Sequence, residues 1–203
     1  MHIHRPPRAE SIPAIQGALL VRRLVHTDGR GQFSELLPAG GVQPPYGRAI
    51  PFTHGQTNAS FSVAGAVRGM HWQHGQGKLV TVLSGRVADI MLDVRRGSPT
   101  FGKTHRLFLD APTSDDTTAL SLYVPPGVAH GVMAPYSTLF AYFTTTPWEP
   151  HNEGGVRWND PELNLPWPEY CAPVVSKRDE ELPLWSYWKQ NPSKLPQYPR
   201  TEA

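Results

Sequence analysis

The sequence predicts an all-β sandwich or barrel with one short helical segment near its C-terminus. Three observations lead there. Between residues 14 and 143 the apolar residues fall in runs of about five to eight, bounded by Gly, Pro, Asp or Ser, which is strand spacing. The 203 residues include 22 Pro and 18 Gly, roughly a fifth of the chain against a usual share of about an eighth, and such density interrupts long helices. Beyond Pro147 the pattern fades as Pro and Trp become frequent.

Taken in order, the candidate strands span residues 18–26, 32–36, 58–63, 66–72, 79–84, 86–94, 104–109, 119–124 and 138–144. Gly17 and Gly31 precede the first two, Gly65 separates the next pair, and Pro125 and Pro147 lie just past the last two. The stretch 79–93 reads as a hairpin turning at Ser84-Gly85. On its second arm, alternation places Val87, Asp89, Met91 and Asp93 on one face and Ala88, Ile90 and Leu92 on the other. The apolar face packs; in a barrel, the face with two carboxylates can line a cavity. Asp93 with Arg95 and Ser98 is expected to fix a loop by hydrogen bonds. Ser176-Lys177-Arg178-Asp179 resembles a capping box that starts a short helix. The Pro-rich, polar tail 192–203 is expected to be extended or loose.

The length suits one domain over 1–203, with a core at about 14–180 and a C-terminal extension at 181–203. Nineteen Lys and Arg against seventeen Asp and Glu leave a formal net charge of +2, and the positive residues are scattered. That distribution argues against nucleic-acid binding. No apolar run approaches the roughly 18 residues of a membrane helix, and residues 1–18 lack the apolar segment of a signal peptide. A lone Cys171 makes no internal disulfide, so a cytoplasmic location is expected.

Gly69-Met70-His71-Trp72-Gln73, then Lys78 and Gly85, has the spacing of the first motif of the cupins, and Pro125-Pro126-Gly127-Val128-Ala129-His130 matches the second. The implied fold is a cupin-type double-stranded β-helix, a jelly-roll barrel. A metal-binding cupin would carry His and Glu where Gln73 and Lys78 stand, and an ammonium repels a divalent cation. No metal is therefore expected. His71 and His74, three apart on a strand, face opposite ways.

Eight segments in order resemble a more specific family. They are Asp28-Gly29-Arg30-Gly31-Gln32-Phe33, Gln56-Thr57-Asn58, Val67-Arg68-Gly69-Met70-His71-Trp72-Gln73, Gln76-Gly77-Lys78-Leu79-Val80, Asp93-Val94-Arg95, Ser98-Pro99-Thr100-Phe101-Gly102, Tyr123-Val124-Pro125-Pro126-Gly127-Val128-Ala129-His130-Gly131 and Trp158-Asn159-Asp160-Pro161. Together they look like the dTDP-4-dehydrorhamnose 3,5-epimerase family from about Leu24 to Asp179. The resemblance implies a homodimeric jelly roll, free of cofactors, that inverts carbons beside the keto group of a nucleotide-linked 4-keto-6-deoxyhexose. His71 falls on the family's general base, Asp179 on the acid paired with it, and Tyr142 on its general acid. Lys78, His130 and Asp89 fall on polar residues of the sugar site; Arg68 and Arg30 fall at or near phosphate-contacting positions. Phe33, Glu35, Gln56, Asn58 and Trp148 complete the implied substrate-binding set.

These residue types suit the chemistry. A hydrogen beside a ketone is weakly acidic, so its removal needs a base and a stabiliser for the enolate oxygen. An imidazole oriented by a carboxylate is such a base, an ammonium neutralises the oxyanion, and a neutral phenol can return the proton. Without the flanking motif each residue has a plainer reading: His71 as a hydrogen-bonded strand residue, His130 as a tie for its turn, Tyr142 as a core aromatic, Lys78 as a solvated charge and Asp179 as a helix cap. Three departures stand out, the first a stretch from Asp110 to Thr118 that looks longer than usual. Trp148 occupies a position where the family commonly has a second Tyr at the nucleotide end, and the connection between Gln73 and Lys78 is short. Rival functions are a sugar 3,4-ketoisomerase, a cupin that binds a nucleotide sugar without turning it over, and a metal-dependent oxygenase that Gln73 and Lys78 disfavour.

Overall fold

The computed structural model describes residues 8–169 and 172–199, so Cys171 lies outside the described residues. Its strands are β1 (Arg8–Ser11), β2 (Leu19–Leu24), β3 (His26–Asp28), β4 (Gly31–Phe33), β5 (Thr57–Ser62), β6 (Ala66–Gln73), β7 (Lys78–Ser84), β8 (Arg86–Asp93), β9 (Thr104–Asp110), β10 (Thr118–Val124), β11 (Val128–Met133), β12 (Thr138–Thr144), β13 (Glu153–Gly155) and β14 (Val174–Val175). Two short helices follow, α1 (Lys177–Glu180) and α2 (Trp185–Gln190). One sheet has the order β1-β2-β10-β7-β12-β5, the other β13-β6-β11-β8-β9 with β14 alongside β6, and β3 and β4 form a separate hairpin.

The sheets face each other across an apolar core. Val80, Val82, Leu122 and Phe140 come from the first sheet and Val87, Met91, Leu109, Val128 and Val132 from the second. On the outer side of the second sheet, Ile90 and Leu92 join Trp72, Trp185 and Trp188 in a further cluster. Strand β8 is thus covered on both faces: every residue after Arg86 is buried, including the carboxylate face.

The hairpin expected at Ser84-Gly85 does not form. β7 pairs with β10 and β12, whereas β8 pairs with β9 and β11. Gly85, at φ +87°, carries the chain from one sheet to the other, and a Cβ there would lie 2.6 Å from Thr138 Oγ1. The candidate strand 18–26 divides at Val25, whose amide bonds to Thr117 O, and the strand expected at 32–36 ends at Phe33. Of the tail, residues 192–199 are described; they open with a 3-10 turn, Pro192–Lys194, and are held against the barrel rather than loose. Leu195 is buried, Gln197 pairs with Arg96, and the Tyr198 ring lies 5.0 Å from the Arg95 guanidinium.

Asp93 fixes its loop as expected. Its carboxylate accepts from Arg95 Nε (2.9 Å) and Nη2 (2.7 Å), from Ser98 Oγ and from Thr100 Oγ1, both at 2.6 Å. Burial opposes its ionisation, yet the hydrogen bonds from Arg95, Ser98 and Thr100 hold its carboxyl below the ordinary value. Such a depressed group stabilises the fold above its unfolded value and loses that contribution on acidification below about pH 4. Asp93→Ala strands the buried Arg95 charge and is expected to cost about 3–5 kcal/mol, measured by denaturant unfolding.

Candidate active site

A cavity of about 920 Å³ is lined by both sheets and by α1. Its wall on the second sheet depends on an extra residue in β6. Beside β11, His71 pairs with His130 while Arg68 pairs with Val132, so three steps on β6 match two on β11. In a regular strand Arg68 and His71 would face opposite ways; the bulge turns both into the cavity. Gly69 makes this possible, with φ +119° and no room for a Cβ, which would sit 2.6 Å from Gly131 Cα.

His71 Nε2 lies 2.7 Å from Asp179 Oδ1, and Asp179 Oδ2 accepts from the Gly69 amide at 3.1 Å. Ser176 caps α1 by accepting from the Asp179 amide, which aims the carboxylate at β6. Burial opposes ionisation of Asp179, but the bonds from His71 and Gly69 and the nearby Arg178 hold its carboxyl below the usual range. An ionised Asp179 accepts from Nε2–H, which leaves Nδ1 of His71 with the free lone pair of a base.

Tyr142 and Lys78 come from the facing sheet, on β12 and β7. Burial raises the Tyr142 phenol, with Arg68 opposing and Glu153 reinforcing the shift, so it is protonated at neutral pH. Desolvation pushes the Lys78 ammonium down to about 8 against the attraction of Glu153 and Asp89. His130 is pushed down by burial despite Asp89, so it is neutral.

Of the residues singled out from sequence, His71, Asp179, Tyr142, Lys78, Gln56, Asn58, Arg68, His130 and Trp148 line this cavity. Asp89 does not; it is fully buried, with Oδ2 at 3.4 Å from His130 Nδ1, and reaches the cavity only through that ring. Arg30, Phe33 and Glu35 also lie outside it, on or just after the β3–β4 hairpin. There Arg30 pairs with Asp28 at 2.6 Å and Phe33 is 71% exposed. Gln73 turns its amide to the Glu149 backbone, with Nε2 3.3 Å from Glu149 O. Sequence reasoning missed Glu153 and Arg178, both in the lining. Glu153 Oε2 accepts from Arg178 Nη2 (2.6 Å) and Trp148 Nε1 (3.0 Å), and the Trp148 amide donates to Gln56 Oε1 at 2.6 Å. Adjacency to Asp179 was the only available pointer to Arg178, and Glu153 carried none.

The family model for dTDP-4-dehydrorhamnose 3,5-epimerase matches residues 13–186. The chain belongs to that family. It is therefore an epimerase, an isomerase acting on carbohydrates. The epimerase is 38% identical over 172 residues to the dTDP-4-dehydrorhamnose 3,5-epimerase of Pseudomonas aeruginosa, covering 83% of this chain and 91% of the relative. Its fold matches the Mycobacterium tuberculosis rmlC epimerase with a TM-score of 0.79 at 31% identity, over 94% of each chain. It also matches ChmJ, a 3'-monoepimerase from Streptomyces bikiniensis solved with dTDP-quinovose, with a TM-score of 0.76 at 28% identity over 91% of each chain. A monoepimerase and 3,5-epimerases sharing one fold means that the fold alone does not set how many carbons are inverted.

Proposed function

We propose that this epimerase inverts C3, C5 or both of a nucleotide-diphospho-4-keto-6-deoxyhexose, with dTDP-4-keto-6-deoxyglucose the first substrate to test. The observation that carries the reading is that a carboxylate-bound imidazole and a protonated phenol enter one cavity from facing sheets, with Lys78 in the same lining. His71 Nδ1 removes the hydrogen beside the ketone, and the C–H electron pair moves into an enolate. The Lys78 ammonium stabilises the enolate oxygen. Tyr142 returns a proton from the other side, which inverts the carbon, and both groups recover their starting protonation from solvent. The reaction changes no oxidation state and needs no cofactor.

Solvent deuterium uptake followed by NMR tests this. Label at C3, C5 or both supports this substrate and shows which centres react; the absence of label would sink the substrate assignment. Tyr142→Phe is expected to slow inversion about a hundredfold while exchange falls less, because the base still acts. Inversion at the wild-type rate would remove Tyr142 as donor.

The exposed β3–β4 hairpin supports a homodimer in which Arg30, Phe33 and Glu35 reach the substrate of a second copy. Sedimentation is expected to show twice the 22.5 kDa chain mass, and Arg30→Ala to raise KM with little change in kcat. A monomer with full activity would refute it.

A further inference from the structure

We propose that Glu153 is a positioning residue for the base: through Arg178 it docks α1 on the cavity wall so that Asp179 meets His71. For its kinetic consequences this rests on His71 acting as proposed above.

Helix α1 has four residues, too few to be stable alone, so its placement depends on contacts with the sheet. Strand β14, which pairs with β6 through Val174 and Val175, fixes its N-terminal approach, and two adjacent helix residues add side-chain grips. Asp179 binds His71 and the Gly69 amide on β6, while Arg178 binds Glu153 on β13. In the β13–β6 ladder Glu153 lies opposite Gln73, two residues along β6 from His71. The grips are thus spaced roughly 7 Å apart along one strand. With β14 holding the approach, the two side-chain grips fix how the helix is turned towards β6. An exposed ion pair is ordinarily worth little, but here the glutamate side chain is only 15% exposed. The same oxygen is held by Trp148 Nε1, and Trp148 is tied at its amide to Gln56. Arg178 is therefore anchored to a fixed acceptor, and its charge also favours the ionised form of Asp179.

The test compares Glu153→Ala, Arg178→Ala, the double variant and Glu153→Gln in the full-length protein. Each alanine variant is expected to lower kcat for deuterium exchange about tenfold and to enlarge the primary isotope effect, since a misplaced base makes C–H cleavage slower. The double variant should be no more than about twofold worse than the weaker single, because both remove one contact. Glu153→Gln keeps an oxygen acceptor for both donors and should recover most of the loss. If Arg178→Ala matched the wild type in kcat and isotope effect while Glu153→Ala did not, or if the losses multiplied, Glu153 would be acting directly on Lys78, Tyr142 or substrate and the proposal would fail. The unliganded protein gives a readout independent of turnover. With 15N-histidine labelling, the ring N–H signal that vanishes in His71→Ala should broaden in both alanine variants and persist in Glu153→Gln. An unchanged signal in both would overturn the docking role, whereas an intact network in a protein showing no exchange would count only against the proposed reaction.

Discussion

Replacing His71 by Ala is expected to lower deuterium exchange at the carbons beside the ketone by about 10⁴-fold, the upper end of what a positioned base contributes. Every later event depends on that proton leaving, so no other group can compensate after the fact. The nearest substitute is His130, paired with His71 across the strands and kept neutral by burial. Its Nδ1 is 3.4 Å from Asp89, against 2.7 Å between His71 and Asp179, so it is the less tightly oriented imidazole. The thermal unfolding temperature should fall modestly, because the buried Asp179 carboxylate loses its His71 partner while keeping the Gly69 amide. If His71→Ala exchanged within a few-fold of the wild type while His130→Ala did not, the base would have to be reassigned to His130.

Lys78→Met should lower kcat by about 10²–10³, the usual cost of losing one donor to a developing oxyanion. Methionine keeps the four-atom stem and lacks only the terminal ammonium, so the change chiefly removes the charge. The wild type should also show its mark in the pH profile of kcat/KM. The ammonium is the productive form and its pKa is about 8; activity therefore holds below that value and is lost as pH rises through it. One unit above, only roughly a tenth of the molecules keep the charge. Lys78→Met should lose this alkaline limb together with most of the rate. Lys78→Arg, which stays charged to much higher pH, should retain some activity and carry it beyond the wild-type limit. A Lys78→Met enzyme with an unchanged alkaline limb would assign that limb to another group.

Much of the barrel was legible because strand patterning is local. Alternation along 86–94 correctly separated Ile90 and Leu92 from Asp89 and Asp93, and the two faces do meet different surroundings. The motif Arg-Gly-x-His marked His71, and the bulge that brings Arg68 to the same face uses the glycine between them. The helix α2 was not legible. Its first amide is capped by Asp160, 25 residues earlier in the chain, so no neighbouring residue announces it. Its aromatic residues looked like part of an irregular Trp- and Pro-rich stretch until Trp185 and Trp188 closed over the outer face of β8.

By itself the sequence determined most of the strands, though no candidate strand covered β11, and the residue types of an acid–base site, since these follow from side-chain periodicity and chemistry within a few residues. Only the tertiary structure decided that β7 and β8 belong to different sheets, that Asp89 stands behind His130, and that Glu153 meets Arg178. The reason is that a strand's ladder can be completed by any chain of suitable register. Which one completes it is settled by burying both faces of β8 at once, a condition that involves residues from Val80 to Trp188 together.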